Sequence, residues 1–159
     1  MDSARVGPWV VRFDRAATAR AYAALLQGDA AECACGDCLN WINQRARVLP
    51  KEFMDFLEML GIDPEKETEI SEYEGGMVDP KRAFYIGEYA FVGELDSGPD
   101  CLVEHEDRKG ANYQFVSLFG EVKVGISSNR AWLQRGRLPI PKEGAGVIMF
   151  QVHAPRSDA

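Results

Sequence analysis

The sequence predicts an α+β fold: helices in the first third of the chain, packed on a mainly antiparallel β-sheet built by the rest. Three observations predict it. Phe53, Phe56, Leu57 and Leu60 recur at the three- and four-residue spacing of a single helix face. Val122, Val124 and Ile126, and later Ile148, Phe150 and Val152, alternate with other residues at the period of a half-buried strand. Beyond residue 69 the strand-like runs are joined by short turns, which suits antiparallel neighbours; parallel ones need long crossovers. At 159 residues the chain is long enough for one domain with its own core. The helical part covers about residues 14–60 and the sheet about residues 69–153, both boundaries good to a few positions.

Taken in order, Trp9-Val10-Val11-Arg12-Phe13 is a short strand that joins the sheet. Asp14 caps a helix running to about Leu26, which Gly28 and Asp29 stop. A second helix starts near Asp37 and ends near Arg47, with Leu39, Ile42 and Ala46 on one side. Pro50 opens a third helix, because its fixed φ suits a helix start, and Gly61 closes it. Asp63-Pro64-Glu65-Lys66 adds a helical turn. Phe84 to Leu95 is an aromatic-rich strand in which Gly87 and Gly93 permit a bend or bulge. Ser97-Gly98-Pro99-Asp100 is a turn. Tyr113 to Phe119 alternates, Phe119-Gly120-Glu121 reverses the chain, and Val122 to Ser127 is the clearest half-buried strand. Residues 136–146 are a loop, and Val147 to His153 is the final strand, with His153 facing away from Ile148, Phe150 and Val152.

The net charge of −7 is unevenly placed. Residues 52–107 hold 17 acidic side chains against three basic ones, Lys66, Lys81 and Arg82. This balance argues against nucleic-acid binding, which needs a concentrated basic surface. It leaves room for a basic protein partner, as in an immunity-type or regulatory protein, although a solvated face explains most such runs. Glu65, Glu67, Glu69, Glu72 and Glu74 belong to this run and read as solvated surface. No apolar run approaches the roughly 20 residues of a membrane span, and Met1 to Arg12 lacks the pattern of a signal peptide. The expectation is a cytoplasmic protein whose four cysteines are thiols or metal ligands, not a disulfide framework.

Cys33, Cys35 and Cys38 fall within six residues. Three thiolates at this spacing can converge on one Zn²⁺, and a tetrahedral structural site then takes a fourth ligand. Cys101 is the first choice because it would complete four sulfurs. His105 and His153 are the alternatives, with Asp37 less natural. Cu(I) or an iron–sulfur centre would suit the same soft ligands. Cys35-Gly36-Asp37-Cys38 also admits dithiol–disulfide chemistry, since a helix beginning near Asp37 would favour a thiolate; the preceding segment, however, lacks the apolar strand of a thioredoxin-like site. The plainest alternative is three thiols packed at a helix start. A Cys–His nucleophile pair would require Cys101 or Cys38 beside His153. No phosphate-binding, nucleophile-elbow or zinc-protease motif occurs, and no catalytic residue is assigned. Tyr85, Tyr89, Phe91, Tyr113 and Phe115, with Trp41 and Trp132, read as cross-strand and core aromatics before they read as a pocket.

Cys33-Ala34-Cys35-Gly36-Asp37-Cys38-Leu39-Asn40-Trp41, then Leu49-Pro50, then Leu60-Gly61-Ile62-Asp63-Pro64-Glu65-Lys66-Glu67-Thr68-Glu69, and Tyr85 to Gly93 form a wider pattern. It resembles a family of uncharacterised bacterial proteins with a Cys-x-Cys-x-x-Cys-x-Asn-aromatic segment and a later Leu-Gly-Ile-Asp-x-x-Lys-Glu-x-Glu segment. The resemblance covers most of the chain and implies a bacterial origin. It brings no activity. Leu39 stands where relatives often carry a basic residue. The expected function is thus a small binding or interaction protein with a zinc site at its cysteine-rich turn, the thiol–disulfide enzyme and the acidic-surface regulator being the alternatives.

Overall fold

A computed structural model of the chain describes residues 1–73, 79–107, 109–128 and 137–157. Among these, four helices pack on one large antiparallel sheet, the α+β architecture expected. None of the described helices is long and apolar enough to cross a membrane. Glu74 and Trp132 lie outside the described residues.

A hairpin opens the chain: β1 (Asp2–Val6) pairs with β2 (Trp9–Phe13). The sequence pattern shows only β2, since β1 is polar and largely exposed. Asp14 then caps α1 (Arg15–Ala23), its carboxylate accepting from the Ala17 N–H at 2.8 Å. α2 (Asp29–Cys33) is a five-residue helix in a segment that reads as a connection. α3 (Gly36–Val48) and α4 (Lys51–Met59) follow. α4 ends as its sequence predicts. Gly61, at φ +85°, donates to Glu58 O and Ile62 donates to Leu57 O, both at 3.0 Å, the paired bonds of a left-handed glycine stop.

β3 (Glu69–Glu72) and the 16-residue β4 (Arg82–Ser97) begin the second half. β5 (Leu102–Glu104) and β6 (Ala111–Tyr113) make a small separate ribbon. β7 (Val116–Phe119), β8 (Val122–Ser127) and β9 (Ala145–Pro155) complete the sheet. Its order is β1-β2-β4-β9-β8-β7, with β3 added along β4. β4 is its spine. β9 runs along one edge from Arg82↔Pro155 to Val92↔Ala145, and β2 and β3 share the other.

The helices cover one face. Trp41 of α3 stacks on Phe150 at 5.6 Å and tilts against Tyr85 at 5.1 Å, while Phe53 of α4 meets Phe150 at 5.8 Å. These rings fix the phase of α3: Cys38, Trp41 and Gln44 are its buried residues. The stripe expected from Leu39, Ile42 and Ala46 is therefore corrected, for Leu39 and Ala46 are exposed. Gly87 lies opposite Phe150 in the strand register, and a Cβ there would come within 2.4 Å of the ring. Its role is to let the ring lie on the strand, in place of the bend its sequence position suggests.

The other sheet face carries Gly125 and Met149, cross-strand partners whose neighbours Val124 and Phe150 point to the helices. Over this face lies the segment leading into β5: the backbone of Cys101 bonds to Ile126 O and accepts from the Gln114 N–H, and its side chain fits against Gly125.

Candidate metal centre

The cysteine cluster is assembled by the junction of α2 and α3. Cys33 ends α2. Ala34 adopts the left-handed conformation, φ 55° and ψ 19°, while its N–H closes the last helical turn on Ala30 O at 2.9 Å. Cys35 is the N-cap of α3, and Cys38 follows one turn later on the buried side. A left-handed alanine costs on the order of 1–3 kcal/mol, and strain of this kind clusters at functional sites. Here it folds the chain back so that the ligand atoms of Cys33, Cys35 and Cys38 all lie within 4.8 Å of one another. Cys33 and Cys35 are exposed and Cys38 is buried; all are free thiols.

Both helices are tied down on either side of the sulfurs. Glu67 is a buried carboxylate whose Oε1 accepts from the Ala30 N–H at 3.0 Å, and its Oε2 meets Arg45 Nη1 of α3 at 3.2 Å. Its backbone carbonyl accepts from the Asp29 N–H, and Asp29 in turn accepts from the Ile70 N–H of β3. The reading of Glu67 as solvated surface is overturned: its side chain is 0% exposed. At the start of α3, the Tyr85 hydroxyl donates to Asp37 O at 2.7 Å and accepts from Asn40 Nδ2 at 3.0 Å. Asn40 also donates to Pro155 O, while its Oδ1 accepts from the backbone N–H and the hydroxyl of Ser157. Arg156 joins this corner, meeting Asp37 at 3.5 Å and Glu72 at 2.8 Å.

The three thiols have unequal environments. The Cys35 side chain makes no regular capping bond. Its thiol is nevertheless drawn below the ordinary value by the Cys38 backbone N–H first, then by the thiols of Cys33 and Cys38. Burial pushes the Cys38 thiol up, reinforced by Cys33 and Cys35. The carboxylates of Glu32 and Asp37 flank the turn, each paired with an arginine: Glu32 with Arg137 at 3.3 Å and Asp37 with Arg156 at 3.5 Å.

The structure brings together three of the sequence-predicted ligands and leaves the others elsewhere. Cys101 lies on the opposite face of the sheet from α3, with its Sγ 3.7 Å from Met149 Sδ and burial raising its thiol to about 12. His105 sits on the exposed β5–β6 ribbon, 3.0 Å from Asn112 Oδ1. His153, on the face its alternation predicts, packs against Phe84 at a ring separation of 4.9 Å. Asp37 turns its carboxylate to Arg156. Among the described residues, Cys33, Cys35 and Cys38 are the one group of three or more His, Cys, Asp or Glu side chains gathered at ligand distance.

Asn40 and Glu67 are the positioning residues that sequence reasoning did not find. Arg45 was the available signal for Glu67: it lies one turn beyond Trp41 on the buried side of α3, where a cation needs a buried partner. Asn40 had no comparable signal, because its partners are Tyr85 and the last described residues of the chain. No protein-family model, curated protein or solved structure matches this chain.

Proposed function

We propose that this is a small binding protein in which Cys33, Cys35 and Cys38 hold one soft metal ion, Zn²⁺ in the first instance, at the start of α3. The observation that carries this reading is the convergence of the three sulfurs within 4.8 Å. Sulfurs sharing a tetrahedral Zn²⁺ at about 2.3 Å stand about 3.8 Å apart, so each pair closes by about 1 Å at most. The left-handed Ala34, which turns the chain between Cys33 and Cys35, supports it further. Zinc analysis of untagged protein, with thiol titration before and after chelation, tests it. The expected result is one zinc per chain, with Cys33 and Cys35 unmasked by the chelator. Metal-free protein whose Cys33 and Cys35 titrate freely from the outset, and which takes up no added zinc, would reject it.

A second reading, dithiol–disulfide exchange at Cys35 and Cys38, is favoured by one contrast: an exposed Cys35 and a buried Cys38 at the start of a 13-residue helix. An insulin-reduction assay separates the two. Turnover that Cys35→Ser abolishes supports exchange, and activity equal to that variant rejects it.

A further inference from the structure

We propose that the ion held by this cluster is exchangeable cargo, passed to and from an incoming thiolate that occupies the coordination position the protein leaves open. The inference rests on the metal-binding reading above and extends it to the partner and the purpose of the site.

Three observations lead here. First, the described residues supply three ligands. The other candidates are committed elsewhere: Cys101 across the sheet, His105 on the ribbon, His153 against Phe84, and Asp37 at Arg156. Structural zinc sites close all four positions with protein ligands, while a site that works on the ion keeps one open. Second, Cys33 and Cys35 are exposed, so another molecule reaches the ion from their side. A cleft of about 500 Å³ lies next along the chain, over the first turns of α3, lined by Gly36, Asp37, Leu39, Asn40, Asn43 and Arg156 but by none of the three cysteines.

Third, both helices that carry the sulfurs are anchored by contacts that do not involve the sulfurs. Glu67 holds α2 to Arg45 and β3 holds Asp29, while Tyr85 and Asn40 hold the start of α3. Trp41 packs on Phe150 behind it. A cluster anchored from outside, exposed and one ligand short among the described residues is suited to giving up its ion.

The exchange needs no oxidant. The sulfur of the incoming thiolate forms a bond to the ion as its fourth ligand. The bond to Cys33 or Cys35 then breaks, and that sulfur leaves with its electron pair and takes a proton from water. The metal keeps its charge throughout, and the remaining two protein bonds follow in the same way. The shared chemistry of the partner is a thiolate, whether of a small thiol or of a cysteine pair on another protein, since an ion that selects three soft thiolates is competed for best by another.

The test loads the full chain with one equivalent of Zn²⁺, then follows zinc loss to excess chelator at several concentrations of glutathione, or of a Cys-x-x-Cys peptide at equal thiol. Near-ultraviolet circular dichroism of the metal-free chain is recorded alongside. The expected result is a metal-free protein that keeps its tertiary signal, and a loss rate that rises about tenfold for tenfold more thiolate. Acceleration by both thiols assigns the partner to any thiolate; acceleration by the peptide alone assigns it to a protein cysteine pair. Zinc that binds but loses its hold at a rate independent of thiol overturns the exchange proposal and leaves the site standing. So does zinc whose removal abolishes the tertiary signal, which would make the ion structural. Failure to bind zinc at all removes the site itself.

Discussion

Glu67 joins three elements through one carboxylate and its own backbone: α2 by two hydrogen bonds, α3 through Arg45, and β3 by continuing into it. Its side chain is fully buried and that of Arg45 is 16% exposed, so the pair is little screened by solvent. Removing one partner strands the other charge. Glu67→Ala is expected to cost about 3–5 kcal/mol by urea denaturation, and replacing both Glu67 and Arg45 by methionine should recover much of that loss. The thiols differ just as sharply. Cys33 and Cys35 are exposed, and the amide of Cys38 favours the Cys35 thiolate. Cys101 is buried and held neutral. Alkylation of metal-free native protein, read by mass spectrometry, should therefore modify Cys33 and Cys35 first. The Cys35 rate should reach its half-maximum at a lower pH than that of an ordinary thiol, and Cys101 should react only in denaturant.

The glycines show how an element constrains its sequence. Gly87 gives up its side-chain space to the Phe150 ring, on which Trp41, Phe53 and Tyr89 all pack. Gly87→Ala should cost about 1–3 kcal/mol of stability, because the ring must shift against those neighbours. Gly36, in the first turn of α3, has nothing within 4 Å of an added Cβ. Gly36→Ala should be tolerated, or stabilise by about 0.4–1 kcal/mol through the unfolded chain, as a thermal melt would show. Elements defined by local pattern were the legible ones. α4 carries its own stripe and its own stop, and β8 and β9 carry their own alternation. The phase of α3 was hidden because Trp41 takes its place from a ring in β9. α2 was hidden because five residues hold too little pattern, and because its partner Glu67 lies in another part of the chain.

Across the whole molecule, sequence spacing identified the sulfurs that meet but not the one that stands apart. Cys33, Cys35 and Cys38 are near neighbours along the chain, so a single turn gathers them. Cys101 is separated from them by the sheet, and which face a residue takes is settled only when β4, β8 and β9 pair. The same burial governs the response to alkali. Tyr22, Tyr89 and Cys101 are all buried in neutral form, their values raised above 10.0 for the phenols and 9.0 for the thiol mainly by desolvation. In the unfolded chain these groups ionise first. Their contribution to stability is thus complete below about pH 9 and falls as pH rises, the Cys101 share being lost between about 9 and 12. Melting temperature should drop over that window, and Cys101→Ala should make the drop shallower whatever its starting value.

The pairing of β4 with β9 also sets a timetable. On the ribosome, α2 and α3 are made well before Phe150, the floor beneath Trp41, which follows about a hundred residues later. Domains complete themselves only when their sequence-distant strands have been made. Until β9 has been made, the nascent chain therefore carries its sulfurs on an undocked helix, open to cellular oxidants and to stray metals, and the finished turn waits for a strand far along the chain.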